Sequence, residues 1–127
     1  MKKYIDEDKL PEVLNEAYSG YTLLASYDRK DTTTYPDQEK FTLTFSESID
    51  NFAMVLICVR ASSYVMGSSF IPVPFFKSNV QIELNCMNDQ GTTYHGNLKY
   101  LTNKTASGKI SGETTRFEVY GFLKIER

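Results

Sequence analysis

Ala53-Met54-Val55-Leu56-Ile57-Cys58-Val59 is an unbroken apolar run, rich in β-branched residues and closed by Arg60. A half-buried strand alternates apolar and polar residues, and a helix usually runs longer. A run this short therefore reads as a strand buried on both faces. A second sheet can cover one face. The other needs a further layer of this small chain or a neighbouring copy of it.

Upstream, Phe41, Leu43 and Phe45 alternate with Thr42 and Thr44, as a half-exposed antiparallel strand does. Tyr21 to Asp28 supplies a first strand, with Leu23, Ala25 and Tyr27 on one face. Between the two, Arg29 to Glu39 is a polar loop containing a Tyr35-Pro36-Asp37 turn signal. Downstream, Ala61 to Ser69 reads as a soft loop. Phe70 to Phe76 follows, and its Pro72 and Pro74 cannot donate to a ladder, which puts the segment at a sheet edge. Val80, Ile82, Leu84 and Cys86 point inward from the next strand. Asn88-Asp89-Gln90-Gly91 then turns the chain into Thr92 to Leu101, with Tyr94, Leu98 and Tyr100 inside. A polar loop from Thr102 to Gly108 and a short Lys109-Ile110-Ser111 strand lead to the last strand, Arg116 to Ile125. There Phe117, Val119, Leu123 and Ile125 oppose Glu118, Tyr120, Phe122 and Lys124.

The first twenty residues differ in kind. Asp8 caps a short helix whose apolar side is Leu10, Val13, Leu14, Ala17 and Tyr18, with Pro11 in its first turn and Gly20 as its stop. So short a helix is marginal alone and must dock on the sheets or on copies of itself. The expected architecture is an all-β, antiparallel β-sandwich, jelly-roll-like, preceded by one short N-terminal α-helix. Residues 1–20 form a helical attachment or oligomerisation segment and residues 21–127 the β-sandwich domain.

At 127 residues the chain suits a single core. A net charge of −2 lacks the basic excess that phosphate-backbone binding needs, so nucleic acid is not an expected partner. No run reaches membrane-spanning length. The start, Lys2-Lys3-Tyr4-Ile5-Asp6-Glu7-Asp8, is acidic where a signal peptide would be apolar, so the expectation is synthesis in a cytoplasm without secretion and without a membrane partner. Cys58 and Cys86 read as buried free thiols, with a single disulfide as the alternative. His95 stands beside Tyr94 without a nucleophile motif, and the sequence has neither metal-ligand spacing nor a nucleotide fingerprint. Catalysis, cofactors and metals are therefore not expected. Asn103-Lys104-Thr105 has the form of a glycosylation acceptor and reads as an ordinary polar loop.

Two stretches resemble known phage proteins. Lys3-Tyr4-Ile5-Asp6-Glu7, followed by Leu10, Val13 and Leu14, is similar to a short helix that recurs in tail and minor structural proteins of phages infecting Gram-positive bacteria; Lys9 stands where that helix often has Gly. Phe117-Glu118-Val119-Tyr120-Gly121-Phe122-Leu123-Lys124 resembles the C-terminal ending of a β-sandwich module of phage tail-fibre and receptor-binding proteins. Tyr21-Thr22-Leu23-Leu24, Phe41-Thr42-Leu43-Thr44-Phe45 and Phe70-Ile71-Pro72-Val73 fit the same module.

The resemblance implies a virion structural protein of a phage or prophage: a homotrimeric tail-fibre or receptor-binding tip that contacts other virion proteins and binds host cell-wall polysaccharide. Two alternatives stay open, a head-fibre or decoration protein without its own receptor and a non-phage carbohydrate-binding adhesin. Candidate glycan contacts are Tyr35, Tyr64, Tyr94 and His95, because an aromatic face stacks on a sugar ring. Phe75 and Phe76 read equally as core. Candidate interface residues are Leu10, Val13, Leu14, Leu56, Ile57, Tyr120 and Phe122, the apolar sets left over on the helix and on the two strands that are apolar on both faces.

Overall fold

A computed structural model of the chain describes residues 20–30, 38–78 and 80–123. The expected N-terminal helix, with Leu10, Val13 and Leu14, and the loop residue Tyr35 lie outside the described residues. The strands are β1 (Tyr21–Asp28), β2 (Glu39–Thr44), β3 (Phe52–Ala61), β4 (Tyr64–Pro72), β5 (Gln81–Met87), β6 (Thr93–Thr102), β7 (Thr105–Gly112) and β8 (Arg116–Leu123). One helical turn, α1 (Val73–Phe76), follows β4.

The strands form two four-stranded sheets. Sheet I has the order β1-β8-β3-β4 and sheet II the order β2-β7-β6-β5, with all pairs antiparallel. The expected β-sandwich is therefore present. β1 lies beside β8 and β2 beside β7, as the outer strands of a jelly roll do, whereas β3 and β4 form a hairpin within sheet I and β5, β6 and β7 a meander within sheet II. Tight turns cause that local pairing. Ser62 adopts a left-handed conformation (φ 54°) between β3 and β4, and its N–H donates to Thr115 Oγ1 at 2.9 Å. Between β6 and β7 only Asn103 and Lys104 separate the paired residues Thr102 and Thr105.

The core lies between the sheets. Val55, Ile57 and Val59 of β3 and Phe117 and Val119 of β8 are fully buried and meet Phe41, Leu43, Leu84, Leu98 and Ile110 of sheet II. Aromatic rings fit where strands lack a Cβ. A Cβ on Gly96 would stand 2.5 Å from Val59 Cγ1 and 2.8 Å from Phe117 Cδ2, so glycine in β6 opens the slot that the Phe117 ring fills. The Phe41 ring in turn lies against Phe117 at 5.5 Å and stacks on Tyr27 at 4.6 Å.

Several expectations are corrected. Ile57 is a core residue with no exposure, so it belongs to no interface; Leu56, next to it, faces outward. A bulge at Leu24 in β1 moves Leu24, Ala25 and Tyr27 to the core side and leaves Tyr21 and Leu23 outside. The segment read as a soft loop before Phe70 is mostly β4, an edge strand, and Val73 and Phe76 of α1 close the core beneath it. The stretch read as a polar loop after Thr102 is mostly β7, held between β2 and β6.

Candidate binding faces

The two outer faces of the sandwich are opposite in character. On sheet I, the outward residues of β3 are Met54, Leu56, Cys58 and Arg60, and those of β8 are Glu118, Tyr120 and Phe122. Leu56 sits directly between Phe70 of β4 and Tyr120 of β8. The rings form one cluster: Tyr21 packs on Phe122 at 5.7 Å and on Tyr120 at 5.9 Å, and Phe70 meets Phe122 edge-on at 5.0 Å. Together with Val65 they line a depression of about 680 Å3. Tyr21, Phe70 and Val65 remain 53%, 55% and 57% exposed, an apolar surface of the kind that in soluble proteins marks an interaction site.

One end of that depression is polar. The Glu118 side chain is 5% exposed, and its carboxylate accepts from Arg60 Nη1 at 3.2 Å and from Arg116 Nε at 2.9 Å. Arg116 Nη1 continues to Asp28 at 2.8 Å. Two guanidinium groups thus offset the desolvation of a nearly buried carboxylate. The neighbouring groups stay neutral. Burial, then the charge of Glu118, raises Tyr120 above the usual phenol range. Burial first and Glu118 second, opposed by Arg60, push the Cys58 thiol up to about 11.

A prediction follows for Cys58. Because the thiolate is the nucleophile, a pKa of about 11 in place of 9.0 lowers the reactive fraction at pH 8 by about 100-fold. Peptide mapping after alkylation of folded protein at pH 8 should show Cys58 essentially unmodified, and full modification after denaturation. Rapid modification of the folded protein would contradict this environment. Cys58 and Cys86 are both free thiols. They occupy different layers: Cys58 faces outward from sheet I, whereas Cys86 packs into the core from sheet II.

The outer face of sheet II is polar. Register sets Lys40, Lys109, Asn97 and Glu83 in one row across β2, β7, β6 and β5; Thr42, Ser107, Lys99 and Gln81 form the next row, and Ser111, His95 and Asn85 flank the first on its other side.

The candidate glycan residues do not form one site. Tyr64, at the β3–β4 turn, is 70% exposed. Tyr94 is an inner-face residue, buried, whose hydroxyl accepts from Asn88 Nδ2 at 3.3 Å; it is removed from the candidate contacts. His95 points the opposite way, its Nδ1 2.7 Å from Asn85 Oδ1, while its backbone N–H donates to Thr114 Oγ1 at 2.9 Å. Tyr120, Phe122 and Leu56 do share one face, as the apolar alternation predicts. Sequence reasoning missed Tyr21 and Phe70 as their partners, because the β1 bulge and the β4 strand were not recognised; it also missed Asn97, which no motif marks.

Compared with known proteins, the chain matches no family model, no curated protein and no solved structure. Among the described residues no group of three or more His, Cys, Asp or Glu side chains could hold a metal ion. No helix among them is long and apolar enough to cross a membrane.

Proposed function

We propose that this chain is a virion structural protein of a phage or prophage, a tail-fibre or receptor-binding tip module that works as a homotrimer and binds host cell-surface glycan. The observation that carries the reading is the aromatic outer face of sheet I. Fully burying a Leu, Val or Phe side chain stabilises by roughly 1.5–3 kcal/mol, and Tyr21, Leu56, Val65, Phe70 and Phe122 lie together there, partly or largely uncovered. Copies of the chain meeting through this face around an axis would cover it, and the family resemblance selects three copies. The polar face of sheet II and the loop end bearing Tyr64 then remain outward for a ligand.

One observation favours a second reading, an assembly protein such as a head fibre or decoration protein without its own receptor. Tyr64 is largely exposed, Tyr94 is buried, and His95 is half-buried with its Nδ1 engaged by Asn85, so the three do not present a common aromatic platform. Binding to intact host cells separates the two. The receptor-binding reading expects the protein to bind cells or isolated wall polysaccharide, and Tyr64→Ala to weaken that binding several-fold with an unchanged melting temperature. Correctly folded protein that binds no host preparation would transfer the proposal to the assembly role.

A further inference from the structure

The groove on the outer face of sheet II contains a side chain that lacks a partner. Asn97 is 9% exposed, and its carboxamide makes no hydrogen bond with another residue. It forms the shared floor of two depressions, of about 580 and 280 Å3, that meet at Asn97 and Lys109. Its amide atoms are open to the groove, since among the described residues only Arg60 Nε is a fully buried side-chain polar atom without a partner, so the Asn97 carbonyl and NH2 are both free to bond a ligand there. A second observation concerns charge. Lys40 and Lys109 stand directly opposite each other on β2 and β7, an unfavourable like-charge pair. Neither lysine takes part in an ion pair among the described residues, whereas Arg60, Lys77 and Arg116 each do. Lys99 adds a third cation in the next row, against the single carboxylate Glu83 on the far strand. This strip is cationic on a chain whose net charge is −2.

We propose that the groove binds an anionic saccharide. Its carboxylate or phosphate lies over Lys40 and Lys109, and its hydroxyls donate to the Glu83 carboxylate and both donate to and accept from the Asn97 carboxamide. Strands are spaced by about 4.8 Å, so Lys109 and Glu83 stand roughly 10 Å apart, the span of about two linked sugar rings. Phe41, which lines the larger depression, has its ring in the core, and His95, at the edge of the smaller one, has its ring nitrogen on Asn85, so no Tyr, Trp or Phe ring lies open in either, which favours a ligand held by hydrogen bonds and charge over one held by stacking. The proposal rests on the glycan-binding reading above and assigns it a ligand class and a place.

The test is a titration of the full-length protein followed by NMR at the Asn97 side-chain amide. The probes are a glucuronate-containing disaccharide, glucose 6-phosphate and neutral maltose. Saturable shifts at Asn97 are expected with the acidic probes, at least ten-fold weaker with maltose, and weakening as salt is raised; the better of the two acidic probes identifies the anion. The double variant Lys40→Gln/Lys109→Gln should keep its melting temperature and bind the acidic probes at least ten-fold more weakly, and Asn97→Leu should abolish the discrimination for sugars. Equal affinity for acidic and neutral probes, undiminished affinity in the lysine double variant, or the absence of saturable shifts at millimolar probe would each overturn the proposal. Host-cell binding that is unchanged in the double variant would remove this groove and keep the receptor-binding reading. Acidic-probe binding without host-cell binding would do the reverse.

Discussion

Leu56→Asp should abolish the proposed homotrimer and leave a folded monomer, whereas the same change at the next residue, Ile57→Asp, should unfold the chain. The two side chains leave β3 on opposite sides. Leu56 lies between Phe70 and Tyr120 on the outer face of sheet I, partly open to solvent in the isolated chain, so an aspartate there meets water and the sandwich survives. In an assembly that covers this face, each copy would bury an unpaired carboxylate. Such a group costs roughly 3–5 kcal/mol, or more than about 100-fold in the association constant for each contact. Ile57 has no exposure and packs between the sheets, where the same carboxylate has neither water nor a cation beside it. Light scattering and circular dichroism measured on both variants separate the outcomes. An unchanged mass for Leu56→Asp would mean that this face is not the contact.

The second large effect is expected at Phe117. Phe117→Ala should lower stability by about 3–5 kcal/mol, a large part of the 5–15 kcal/mol typical of a domain, and lower the melting temperature by about 10–20 °C. The ring is fully buried, contacts Phe41 and fills the slot above Gly96. Because backbone forms one wall of that slot, the cavity left by alanine cannot be closed by a neighbouring side chain changing rotamer. Phe41 would also lose one of its two ring contacts, the other being Tyr27. Urea denaturation provides the measurement, and a loss below about 1 kcal/mol would show that the site collapses freely.

Strands with strong apolar alternation or long apolar runs were legible in the sequence. β2, β3, β5, β6 and β8 each present two or more large side chains to the core at alternate positions, and period-2 patterning finds such strands directly. β4 and β7 were not legible. Thr105, Ala106, Ser107 and Gly108 have little strand character of their own, and their conformation is imposed by β2 and β6 on either side. The β3–β4 turn was hidden because Ser62, not glycine or asparagine, occupies its left-handed position, supported by Thr115 from the next layer of sequence. The β1 bulge shows the same limit, since a single extra residue reverses the face of everything before it.

The candidate sites were legible to the same degree. Leu56, Tyr120 and Phe122 could be found because strands apolar on both faces leave one set uncovered. Tyr94 and His95 were misjudged as a pair, because neighbours on a strand point to opposite faces. Asn97 has no local signature. Its significance lies in what three other strands place beside it, Lys40, Lys109 and Glu83, and that requires the register of the whole sheet.

The central claim is that the aromatic face of sheet I is covered by other copies of the chain. Light scattering coupled to size-exclusion chromatography of the full-length protein at micromolar concentration tests it most directly. A single species of about three times 14.5 kDa is predicted; a monodisperse monomer would contradict the claim.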